Sequence, residues 1–230
     1  MKLLRLVLMT LLMSTLSLHA SASEGVTAAL QASANVQVLQ DEVRLVFVHE
    51  AQGKTAAEVN RALTQALEQA RGAVSVPAGV SMSTGSFRTS PSYNKDGRPD
   101  GWRGRAELVL QSTDFAATEK VAGLLGTQLA LASVNFSLSP EKRRITEQTL
   151  LKEVAQTFRN KATSAASAFG FDRYKIMSLD FGGQNNIGNA PMLMRSAPAS
   201  ADQASDPVRF SLDPSLVQVS ISLSGKVRFD

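Results

Sequence analysis

One amphipathic stripe limits the folds open to this chain. Ile145, Leu150, Leu151, Val154, Phe158, Ala162, Ala165 and Phe169 recur mainly at steps of three and four, which lines them along one side of a helix. Ser139 suits the N-cap, Pro140 the first turn, and Gly170 the left-handed residue that ends a helix. The spacing predicts a helix over residues 140–169, and a helix that long with one apolar stripe needs a sheet to cover it.

The rest of the chain supplies strands. Residues 28–38 alternate strictly, with Leu30, Ala32, Ala34, Val36 and Val38 on one face and Gln31, Ser33, Asn35 and Gln37 on the other. Val43, Leu45 and Phe47 begin a second strand after the tight connection Gln40-Asp41, so the two are expected to form a hairpin. A helix is expected over 55–74, on Val59, Leu63, Leu67, Ala70 and Val74. Two strands, 80–93 and 102–112, flank the turn Asn94-Lys95-Asp96-Gly97. A helix over 114–129 and strands at 134–138, 174–181 and 216–229 complete the order. In the last strand Val217, Val219, Ile221, Leu223, Val227 and Phe229 oppose Gln218, Ser220, Ser222 and Ser224. This is an α+β pattern, mainly antiparallel, with helices packed on one sheet face. A lobe boundary is expected near 112. Residues 182–214, rich in Gly, Asn, Ala, Ser and Pro, read as a mobile loop.

The amino terminus reads as an export signal. Lys2 and Arg5 precede the apolar run 6–18, and Ala20-Ser21-Ala22 has the small-x-small cleavage pattern. The run is shorter than the ~20 apolar residues that span a bilayer. Cleavage after Ala22 makes residues 23–230 the mature, periplasmic domain, with no transmembrane segment expected. It also lowers Lys plus Arg from 24 to 22 against 20 acidic residues, so the net charge falls from +4 to +2. Such a balance gives no reason to expect a nucleic-acid partner.

Reactive residue types are few. There is no cysteine, and His49 is the one histidine outside the expected signal. No Gly-x-Ser-x-Gly elbow occurs, so a serine hydrolase would have to recruit His49 as its base. A zinc site is not available from His and Cys alone, and no cofactor is expected. Lys142-Arg143-Arg144 in the first helical turn opposes the helix dipole. A second candidate is the basic, aromatic hairpin 87–105, with Arg88, Lys95, Arg98, Trp102, Arg103 and Arg105 as polyanion ligands. Against this, Trp102 shares the parity of Ala106 and Leu108 and reads equally well as core.

Several stretches together resemble the SIMPL-domain family. They are Asp41-Glu42-Val43-Arg44-Leu45, Gly53-Lys54-Thr55-Ala56-Ala57-Glu58, Val134-Asn135-Phe136-Ser137-Leu138-Ser139, residues 161–170 and Val217-Gln218-Val219-Ser220-Ile221. The resemblance covers nearly all of the mature chain. It implies an exported envelope protein of the periplasmic immunogenic type, linked to envelope and oxidative stress, without an agreed catalytic motif, and able to assemble into rings. A non-enzymatic protein acting through self-association or binding, as a homo-oligomer or with an envelope component, is therefore expected. The uncharged faces Gln31, Ser33, Asn35 and Gln218, Ser220, Ser222 are the self-association candidates, since solvent-facing strands usually carry Lys or Glu as guards. Intact mass of the exported protein should place its first residue at Ser23; a mass retaining residues 1–22 would refute the cleavage.

Overall fold

The computed structural model describes residues 25–182 and 212–230. The expected signal peptide lies outside them, as does most of the expected mobile loop. The elements run β1 (Thr27–Leu39), β2 (Glu42–Gly53), α1 (Ala56–Gly72), β3 (Val80–Tyr93), β4 (Pro99–Ser112), α2 (Phe115–Leu125), β5 (Ala130–Ser137), α3 (Pro140–Ala168), β6 (Tyr174–Gly182) and β7 (Leu216–Phe229). This is the α+β class read from the sequence, arranged as two antiparallel sheets.

The expected β1–β2 hairpin does not form. β1 pairs with β7 in a three-stranded sheet of order β1-β7-β6, while β2 lies between β4 and β5 in a four-stranded sheet of order β3-β4-β2-β5. Gln40 and Asp41 are a crossing between sheets rather than a turn, and both strands find longer partners. β1 matches β7 from Thr27–Arg228 to Leu39–Leu216 without a break. The middle of the chain, from β2 to β5, thus forms its own layer, in which β4 ends at Ser112.

Each sheet is covered on one face. α1 and α2 pack on the larger sheet around Leu45, Phe47, Leu63, Leu108, Leu110 and Leu125. A Cβ at Gly104 would lie 2.7 Å from Val59 and Leu63, so glycine lets α1 approach β4 closely. α1 is started by a capping box: the Glu58 amide donates to Thr55 Oγ1, and the Thr55 amide to the Glu58 carboxylate.

α3 packs on β1 and β7 of the smaller sheet. Its start and end agree with the reading above: Lys142 N–H donates to Ser139 Oγ, and Gly170 has φ of 79°. Its buried stripe is different. Thr146, Leu150, Val154, Phe158, Ala162 and Ala166 face the sheet, whereas Ile145, Leu151 and Phe169 are exposed. Strict four-residue steps form a ridge inclined to the helix axis, which suits a twisted sheet better than a stripe parallel to the axis.

Among the described residues, the passages between the two layers meet at Gln40 and Asp41. Gln40 Nε2 donates to Phe136 O (2.8 Å), and Gln40 Oε1 accepts from Ser215 Oγ (2.9 Å). The Asp41 carboxylate accepts from both Ser139 N and Ser139 Oγ, each at 2.8 Å. Residues 212–214, at the end of the expected mobile loop, are described. Leu212 is buried in the larger sheet's core, and its amide donates to Glu119 on α2.

Asp41→Ala leaves two donors of a buried serine unanswered and should lower the unfolding free energy by about 1–3 kcal/mol in urea titration. Combined with Ser139→Ala, it should cost less than the sum of the two single changes.

Candidate functional site

Three regions carry the residues singled out by the sequence. The first is the open face of the smaller sheet. Because β1 and β7 pair in full, their uncharged faces become one surface. Gln31 stands beside Ser224, Ser33 beside Ser222, Asn35 beside Ser220 and Gln37 beside Gln218. The β1 residues of this set are exposed, as are Gln218 and Ser224, while Ser220 and Ser222 are half-buried. The opposite face carries Val217, Val219, Ile221 and Leu223, buried under α3. One guard escaped the sequence reading: Lys161, from α3, places Nζ 2.9 Å from Gln31 O at the outer edge of β1. Its position two turns before the helix end was the available signal, but the edge it serves depends on tertiary pairing.

The second region is the β3–β4 hairpin. Its tip is closed by Asn94, whose side-chain oxygen accepts from the amides of Asp96 and Arg98. Lys95 and Arg98 are exposed there. Along the stem, Arg88 stands directly opposite Arg105, and Ser90 opposite Arg103. These arginines share the face away from α1. Trp102 does not join them. It alternates onto the α1 side, with Ala106 and Leu108, and packs half-buried against the core. It lines an open cleft of about 520 Å³ together with Gln52, Lys54, Ser92 and Asp100. Nor is Arg105 free: it pairs with Glu50 at 2.9 Å and Glu107 at 3.5 Å. Glu50 lies 55 residues earlier in the chain, a separation that hides such a partner until the strand register is known.

The third region is His49. It lies on the helix-covered face of β2, opposite Ala106, and is half-buried. Among the described residues it has no hydrogen-bonded serine. Among the same residues, no three His, Asp or Glu side chains come together as a metal site requires. No described helix is long and apolar enough to cross a membrane. In the basic first turn of α3, Arg144 is engaged by Glu141 at 2.7 Å. That hydrogen bond holds the Glu141 carboxyl below its ordinary range.

With this geometry in place, the comparisons can be stated. The family model described as SIMPL, protein of unknown function (DUF541), matches residues 29–227. No curated protein matches the chain. Since Trp102 and the arginines occupy opposite faces, a soluble polyanion held by Arg88 and Arg103 should leave the emission of Trp102 unshifted. A blue shift during that titration would show that the ring joins the ligand.

Proposed function

The chain belongs to the SIMPL family, and on that premise we propose that it is an exported cell-envelope protein that acts without catalysis, by assembling with copies of itself. Envelope and oxidative-stress defence is the setting the resemblance suggests. The observation that carries the reading is the open face of the β1–β7 pair. Four neighbouring cross-strand pairs there, from Gln31–Ser224 to Gln37–Gln218, contain Gln, Ser and Asn and no charge.

The physical argument concerns desolvation. Covering a charged side chain costs far more than covering a hydroxyl or amide that finds a hydrogen-bond partner across the interface. Soluble sheets usually place Lys or Glu on solvent-facing strands, which discourages contact with another chain. On the β1–β7 part of this face charge begins only at Lys226 and Arg228, at one end, and the neighbouring β6 adds Lys175 and Asp180 along its margin. The face is also flat in composition, since its side chains are short or flexible amides, so a second layer can approach closely.

Light scattering coupled to gel filtration should give a mass above that of one chain at micromolar concentration. Ser220→Lys or Ser222→Lys should lower that mass, whereas Gln65→Lys, on the exposed side of α1, should not. A single-chain mass throughout would end this reading.

A further inference from the structure

The least covered element is β6. Register with β7 sets Tyr174, Ile176, Leu179 and Phe181 beside Phe229, Val227, Gly225 and Leu223, on the face that α3 covers elsewhere. But α3 lies over β1 and β7. Ile176, Leu179 and Phe181 therefore remain 39%, 45% and 46% exposed, and Met177 53%. Four large apolar side chains within six residues of one strand make a contiguous strip of the kind that marks an interaction surface.

Among the described residues the same strand is an edge, since the sheet order is β1-β7-β6. Its outward hydrogen-bonding groups follow from the ladder. Asp230 N–H donates to Arg173 O, so Arg173 and Lys175 face β7, and Tyr174 and Ile176 face outward. A register shift between Ile176 and Ser178 then inserts Met177 as an extra residue. Beyond it Ser178, Asp180 and Gly182 face β7, while Leu179 and Phe181 face outward. Lys175 and Asp180 both stand on the face away from α3, beside Arg228 and Ser224. Neither has an ion-pair partner among the described residues.

We propose that β6 pairs antiparallel with β6 of a second copy, about a two-fold axis between Met177 and Ser178. This rests on the self-assembly reading and names an interface for it. In that register Tyr174 meets the partner's Phe181, Ile176 meets the partner's Leu179, and Lys175 meets the partner's Asp180. Each pair agrees in face, as directly opposed residues must. Outward-facing backbone groups meet outward-facing ones at Tyr174–Phe181 and Ile176–Leu179. The charges are complementary, twice over by symmetry. A slip of one residue either way sets Lys175 against Leu179 or Phe181. The two sheets become one of six strands with both α3 helices on the same side, so the apolar strip is enclosed between them.

The chain has no cysteine, so Ser178→Cys introduces a single thiol beside the axis. Mild oxidation with diamide should link two chains through it. Lys175→Asp and Asp180→Lys should each raise the dissociation constant of the pair by at least about tenfold, equivalent to ~1.4 kcal/mol, and the two together should restore it. Both positions are exposed on an edge strand, so folding should survive each change, as far-UV circular dichroism can check. Oligomers in which Ser33→Cys links but Ser178→Cys does not would overturn the β6 interface and leave self-assembly standing. A reversal that fails to restore pairing would also overturn it. A single-chain mass with neither thiol linked would overturn both.

Discussion

Two adjacent side chains, Gln40 and Asp41, hold together the passages between the two sheets. The amide of Gln40 spans Phe136 O and Ser215 Oγ, so it ties the end of β5 to the start of β7 across the beginning of β2. The carboxylate of Asp41 takes both donors of Ser139, and Ser139 in turn caps α3. One carboxylate thus helps to fix where α3 begins and, with it, which residues of α3 face the sheet. Hydrogen bonds to a charged group are worth about 1.5–3 kcal/mol each, roughly twice a neutral one. Gln40 and Ser139 are 9% and 8% exposed, so losing a partner there would strand polar atoms with little water to replace it. This crossing needs short polar side chains with donors and acceptors in balance, and an apolar core cannot supply them.

From that anchor α3 runs across the smaller sheet, and its coverage is uneven. Phe158 sits above Gly225, where a Cβ would come within 2.9 Å of its ring. The glycine makes room for the ring over β7, and the i, i+4 ridge from Thr146 to Ala166 keeps the helix over β7 and β1. β6 is left at the margin. A single helix about 10 Å across cannot shelter three strands spaced ~4.8 Å apart with equal effect. The exposed side chains of β6 are therefore a consequence of architecture, not of an error in amphipathic pattern.

Much of the fold was legible because local signals agreed. The odd positions of β7 are buried as their alternation demands, apart from half-buried Gly225, and Thr55, Asp114 and Ser139 cap the helices they precede. Pairing was less legible. A two-residue connection at Gln40-Asp41 looks like a hairpin turn, and only the 13-residue match of β1 with β7 reveals that a partner nearly 200 positions away in sequence wins. The stripe of α3 was misplaced at Ile145 and Leu151 because three- and four-residue steps were read together, when the twisted sheet selects the four-residue ridge. At the hairpin the sequence put Trp102 among the arginines by proximity, while strand parity, also visible in the sequence, places it with Ala106 and Leu108. The polar faces of β1 and β7 were each legible alone; that they adjoin was not.

The bulge at Met177 shows how one residue can change what an edge recognises. In an unbroken strand Lys175 and Asp180, five positions apart, would point to opposite faces. The extra residue reverses the parity of everything after it, so the lysine and the aspartate share one face, and Ile176 and Leu179 share the other. Bulges on edge strands commonly spoil pairing with a neighbour by breaking the ladder. Here both copies would carry the same bulge at the same distance from the two-fold axis, so the interruptions coincide. An interface of this kind discriminates strongly. An unrelated strand without the bulge meets the right charges on the wrong face beyond Met177, whereas a second copy of this chain meets both in register. In the proposed pairing, selectivity for a second copy would come from a local irregularity, and the apolar strip would supply the drive to bury it.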